Sequence, residues 1–206
     1  ALLVAVMVAT VTFIGHQITQ TLGASGEQEL KQQVQLVHAM MASSFDAVER
    51  ESSRLLDIYA ARYPGTFTLD DSKDAIPVLR YNKIALNGLH DEEDAFAKIT
   101  HGPTATLLVR RGDEFVRIAT SVKQDNGERA QGTLLERSDP AYAAVAAGKV
   151  YTGRTSLSGK PYMALYQPMK DAAGKVAGVL FVGFDLTGFQ NSLERLVGEA
   201  RFFDSG

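Results

Sequence analysis

The chain has 206 residues, with 21 Lys plus Arg against 24 Asp plus Glu, a formal charge of −3 and 45% hydrophobic residues. These values suit a globular domain with a real core and argue against nucleic acid as a partner, which favours a strongly basic surface. There is no cysteine, which excludes disulfide scaffolds, zinc–thiolate sites, iron–sulfur clusters and thiol catalysis.

Ala1 to Ile14 is apolar, and no Lys, Arg, Asp or Glu precedes Glu27. A spanning helix needs roughly 20 apolar residues, so this stretch reads as the outer part of a membrane helix that starts upstream. Two other readings compete: a signal peptide and a buried core helix. A signal peptide should open with basic residues, and only Leu22-Gly23-Ala24-Ser25 offers a faint cleavage site. Residues 1–26 are therefore expected to be a membrane and juxtamembrane segment, and residues 27–206 one domain.

From Glu27 to about Tyr63, Leu30, Val34, Val37, Met41, Val48 and Leu55 recur at helical spacing. Pro64-Gly65 stops this long helix. Its apolar stripe fits packing on the domain's own sheet and, equally, a heptad seam with a second copy. Phe67 to Asn87 shows no clear period. Asp91 to Lys98 predicts a short helix with an acidic, solvated start, ending before Gly102-Pro103. Thr104–Val109 and Glu114–Val122 flank Arg110-Arg-Gly-Asp113, a hairpin pattern. Asn126-Gly127 supplies a turn with positive φ at low cost. Asp139-Pro140 opens a helix that Gly148 closes. Extended segments restart at Val150, at Tyr162–Gln167 and from Val176 to Asp185, and an exit helix follows from Thr187. The expectation is an α+β domain: a long helix over 27–63, an antiparallel sheet of about five strands over 104–186, and an exit helix over 187–206.

Catalytic patterns are poor. Gly153 to Lys160 imitates a phosphate loop, but it has five residues between its glycines and Pro161 where Ser or Thr is needed. Neither the nucleophile-elbow nor the His-Glu-x-x-His pattern occurs. No enzyme activity, metal or cofactor is expected. The strongest chemical candidate is Arg117, a guanidinium between Val116 and Ile118 in an apolar strand, because its fork matches a carboxylate. Strand alternation puts Phe115, Arg117, Ala119 and Ser121 on one face, and Thr120 on the other unless a bulge intervenes.

Several ordered blocks carry a family likeness: Asp113–Thr120, Gly132–Leu135, Ala141-Tyr142, Gly148–Arg154, Gly159–Tyr162, Tyr166–Pro168 and Gly178–Gly183. Together they resemble the single-Cache family 3 sensor domains of methyl-accepting chemotaxis proteins and sensor histidine kinases, which are similar to citrate and C4-dicarboxylate sensors. The likeness covers roughly the last half of the chain. It implies a PAS-like sheet whose concave face holds a ligand, with the long N-terminal helix packed on one face. The sensor is expected on the inner membrane, facing the periplasm or extracytoplasmic space, and the seam of the long helix suggests a homodimer. Arg117 and Thr120 fall at the family's ligand positions, Tyr162 and Tyr166 on the next pocket strand, and Arg154 in a matching block. Ala164 stands where the dicarboxylate sensors carry a second arginine, which favours a smaller monocarboxylate; the expected ligand is a short carboxylate, with acetate, propionate, pyruvate, lactate and malate the acids to try first. The alternative from another class is a ligand-free dimerisation module that contacts a periplasmic binding protein.

Overall fold

The computed structural model describes residues 42–70, 76–157 and 159–188, together with 28, 31, 32, 35, 36, 39, 191 and 192. It divides into two compact units, residues 1–47 and 48–206. In the first unit the described positions are helical. The membrane segment expected at Ala1–Ile14, and the seam positions Leu30, Val34, Val37 and Met41, lie outside the described residues. Among the described residues no helix is long and apolar enough to cross a membrane.

The second unit opens with helix α1, residues 48–60. Leu55, Leu56 and Tyr59 fall on one helical face and are buried, and the chain leaves the helix ahead of Pro64. The aperiodic stretch that follows forms three short strands, β1 (Phe67–Asp70), β2 (Val78–Tyr81) and β3 (Ile84–Ala85), in a small antiparallel sheet. Helix α2 (Asp91–Thr100) comes next and ends at His101 in the left-handed region, φ 56°.

Five strands make the main sheet: β4 (Thr104–Arg111), β5 (Glu114–Thr120), β6 (Tyr151–Leu157), β7 (Lys160–Lys170) and β8 (Val176–Asp185). Their order is β5-β4-β8-β7-β6, and every pairing is antiparallel. Helix α3 (Pro140–Ala146) lies on the connection between β5 and β6, with Asp139 accepting the Ala141 N–H at 2.8 Å as its N-cap. The fold is α+β and fits a PAS-like architecture.

The sheet is buried on both faces. Leu107, Val116, Ile118, Leu165 and Val182 pack with α1, Phe96 of α2 and Leu79 of the small sheet. Leu108, Phe115, Ala164, Tyr166 and Phe181 pack on the other face with Ala141 and Val145 of α3. The free edge of β5 is covered by a strap. Its segment 132–135 bonds to β5 through Gly132 N to Arg117 O, Arg117 N to Thr133 O and Leu135 N to Phe115 O, at 2.8–2.9 Å. An uncovered edge would be an open template for another strand, and here the strap also builds one wall of a cavity.

Candidate functional site

On the α3 face a cavity of about 390 Å³ opens between β5, the strap and the start of α3. Arg117, Thr133, Leu134, Glu136, Asp139 and Leu157 are among its lining. Arg117 gets there by simple alternation. It faces the same way as Phe115, and its register partner on β4 is Leu108, which belongs to the α3-side core.

Arg117 is buried, with 7% of its surface exposed. Its Nη1 donates to Thr133 Oγ1 at 3.0 Å and to the Leu134 carbonyl at 2.7 Å. Among the described residues no carboxylate lies within ion-pair distance of it. Burial lowers its pKa from the ordinary arginine value, while Tyr166, Asp139 and Glu136 pull it back upward. A guanidinium stays charged in proteins, so a buried cation sits at the cavity with only neutral oxygens as direct protein partners.

Tyr166 stands behind it. The ring is fully buried on β7, outside the cavity lining and 4.8 Å from the Phe181 ring centre; among the described residues its hydroxyl makes no well-formed hydrogen bond, although Arg117 and Thr155 act on it. Burial raises its pKa well above the ordinary tyrosine value, with the nearby Asp139 charge adding to the rise and Arg117 opposing it. Asp139 is shared between two tasks, since its Oδ1 caps α3 and its Oδ2 accepts the Thr155 hydroxyl of β6. The arrangement combines a buried fork donor, a buried hydroxyl and a flanking apolar wall, which is the usual mix of a small-ligand site.

The other residues expected from sequence lie elsewhere. Thr120 does share the face of Arg117, because β5 carries a bulge. Leu107 pairs with Ala119 and Leu108 with Arg117, which leaves Ile118 as the extra residue. Its hydroxyl bonds Thr106 Oγ1 at 2.6 Å and accepts the Val122 N–H, and it is outside the cavity lining. Tyr162 is 7% exposed on the same face but nearer the Asp185 end of the sheet; burial and the Asp185 charge raise its pKa. Arg154 is exposed on edge strand β6, in register with Met163. Since Tyr162 and Ala164 on either side of Met163 face the α3 side, Arg154 is on the opposite face from Arg117.

The strap and cap residues Thr133, Leu134 and Asp139 are functional candidates that sequence reasoning did not single out. The only signals were the Gly132–Leu135 block and the Asp139-Pro140 helix start, neither of which indicates a cavity wall.

The family model of the Cache 3/Cache 2 fusion domain matches residues 16–206, nearly the whole chain. No curated protein matches the chain.

Proposed function

This chain belongs to the family of Cache 3/Cache 2 fusion domains, extracytoplasmic sensory modules rather than catalysts, and from that premise we propose that it is the carboxylate-sensing part of a transmembrane receptor. In this reading a short carboxylate enters the α3-side cavity and lays its charged end against Arg117, with the Tyr166 hydroxyl as a second donor. The observation that carries the reading is Arg117 itself, a buried cation whose direct partners are the neutral oxygens of Thr133 and Leu134. Burying a charge is costly unless it is paired and hydrogen-bonded, and a carboxylate completes that pairing. The sensor sits outside the inner membrane, held by the segment before Glu27, and works as a homodimer. Its output is chemotaxis or another signalling response. Binding acts by shifting the population between two helix arrangements, which requires a different ligand affinity in each.

The test is a melting screen of the chain with acetate, propionate, pyruvate, lactate and malate. A ligand present at a hundredfold its dissociation constant stabilises the native state by about 2.7 kcal/mol. Charged hydrogen bonds contribute on the order of 1.5–3 kcal/mol each, so Arg117→Ala is expected to weaken binding roughly ten- to a hundredfold. An acid that raises the melting temperature of the wild type and of Arg117→Ala equally overturns the assignment of the anchor. If none of the five shifts the wild type, short carboxylates are the wrong ligand class.

A further inference from the structure

Away from that cavity, on the opposite face of the sheet, an acidic side chain is buried between two helices. Glu93 belongs to the Asp91-Glu-Glu-Asp94 run at the start of α2. The sequence predicts a solvated acidic start, and Asp91, Glu92 and Asp94 are exposed, but Glu93 is 0% exposed. Helical geometry turns it inward with Phe96, three positions on, toward α1. Tyr59 of α1 donates its hydroxyl to Glu93 Oε1 at 2.5 Å. Glu93 Oε2 is buried with no hydrogen-bond partner. The Tyr59 ring packs against Phe96 at 5.2 Å and against Tyr63 at 5.9 Å, so this single hydrogen bond lies inside an aromatic contact between α1 and α2.

We propose that Glu93 is a proton-operated latch: protonated, it holds α1 against α2 through Tyr59, and ionised, it loosens α1. An ionised carboxylate has room for about four hydrogen bonds, and among the described residues it finds one side-chain donor, Tyr59, beside the backbone N–H of Glu93 itself. The neutral acid tolerates the site; the anion does not. Burial pushes the Glu93 carboxyl up to about 7, with the hydrogen bonds from Tyr59 and from the Glu93 backbone pulling the other way and the Glu92 and Asp94 charges adding to the rise.

The surrounding charges do not rescue the anion. In the turn just after α1, Tyr63 is titratable but rises under burial, and Arg62 pairs with the exposed Glu92 at 3.3 Å. Arg129, from the loop after β5, feels the Glu93 charge, but its two terminal nitrogens bind Asp94 at 2.8 and 2.6 Å. His90, just before α2, accepts the Thr120 N–H through Nδ1 and bonds Gln131 through Nε2. Strands β4 and β5 give this core Leu107, Val109, Val116 and Ile118, all apolar. The latch does not depend on the ligand reading, since Arg117 faces the other side of the sheet.

Hydrogen exchange of the full chain, followed amide by amide over residues 48–60 and corrected for the intrinsic pH dependence of exchange, tests it. Protection of α1 should fall about tenfold between pH 6 and pH 8, because opening gains a factor of ten per pH unit up to the raised folded value of about 7 and levels off above it. The central strands β7 and β8 should keep their protection. Glu93→Gln, which holds the neutral shape, should abolish the fall; the same fall in that variant overturns the latch. Tyr59→Phe removes the side-chain donor to the anion and should move the midpoint to higher pH, which a packing defect alone would not do. If Glu93→Gln does not fold, that midpoint decides: a midpoint unchanged in Tyr59→Phe, or flat protection in the wild type, overturns the proposal.

Discussion

Arg117 and Tyr166 differ in how much of their role a strand pattern can reveal. An arginine between Val116 and Ile118 is conspicuous, because a charge in an apolar strand needs a partner. A tyrosine in an apolar strand is ordinary, and only the packing around it leaves the Tyr166 hydroxyl buried without a well-formed hydrogen bond among the described residues. An unsatisfied buried polar group costs about 1–3 kcal/mol. Tyr166→Phe is therefore expected to leave the ligand-free domain as stable as the wild type, or more stable by up to about 1–2 kcal/mol. The same change should weaken carboxylate binding roughly three- to tenfold, the worth of one ordinary hydrogen bond. Paired denaturation and binding measurements check both signs; a destabilised variant with unchanged affinity would remove Tyr166 from the site. Thr120 shows a different limit. Simple alternation puts it opposite Arg117, and the bulge at Ile118 reverses that. A bulge adds one residue to one strand only when its partner is aligned beside it, so no property of Glu114–Thr120 alone announces it.

At the scale of elements, the five main strands, α2 and α3 were legible because alternation, turn residues and caps are local signals. Gly148 at φ 73° and Gly127 at φ 83° close their turns as their positions predict. The small sheet of β1 to β3 was not legible. Its strands are two to four residues long, too short for a period, and they are held by Leu79 and Phe67 in the shared core. That packing explains a glycine in the middle of β8. A Cβ on Gly178 would stand 2.3 Å from the Leu108 carbonyl oxygen, 2.9 Å from Met169 Cε and 3.4 Å from Leu79 Cδ2. The carbonyl belongs to the neighbouring strand and cannot step aside without breaking the ladder. Gly178→Ala should destabilise the domain by roughly 1–3 kcal/mol, the usual cost of overpacking, read as a lower denaturant midpoint. A neutral result would mean that β4 and β8 separate more easily than their register implies. Asp139 joins elements in the same way, since one carboxylate caps α3 and binds Thr155 of β6.

For the whole molecule, the sheet separates two sites: a cavity under α3 that includes Arg117, and a buried acid beneath α1. The second makes stability depend on pH. The ordinary glutamate value is 4.5, whereas Glu93 in the folded domain is raised to about 7. Between these values the folded state carries the extra proton, so stability falls as pH rises through that window and is unaffected by Glu93 below it. At 1.36 kcal/mol per pH unit the total is about 3 kcal/mol. Asp94, lowered by its hydrogen bonds to Arg129, acts in the other direction, and its contribution is lost only as pH falls below the ordinary aspartate range. Denaturant titrations at pH 5 and pH 7.5 should show the drop in the wild type and much less of it in Glu93→Gln; equal drops would assign the slope to other groups. The family and the α+β architecture were determined by the sequence itself, because periodicity, turn glycines and the order of the motif blocks are properties of the chain read in line. Which side chains meet was decided by tertiary structure alone. The strap lies along β5, the bulge turns Thr120 over, Arg154 falls on the far face and Glu93 goes inside, since each of these depends on what a distant segment packs against it.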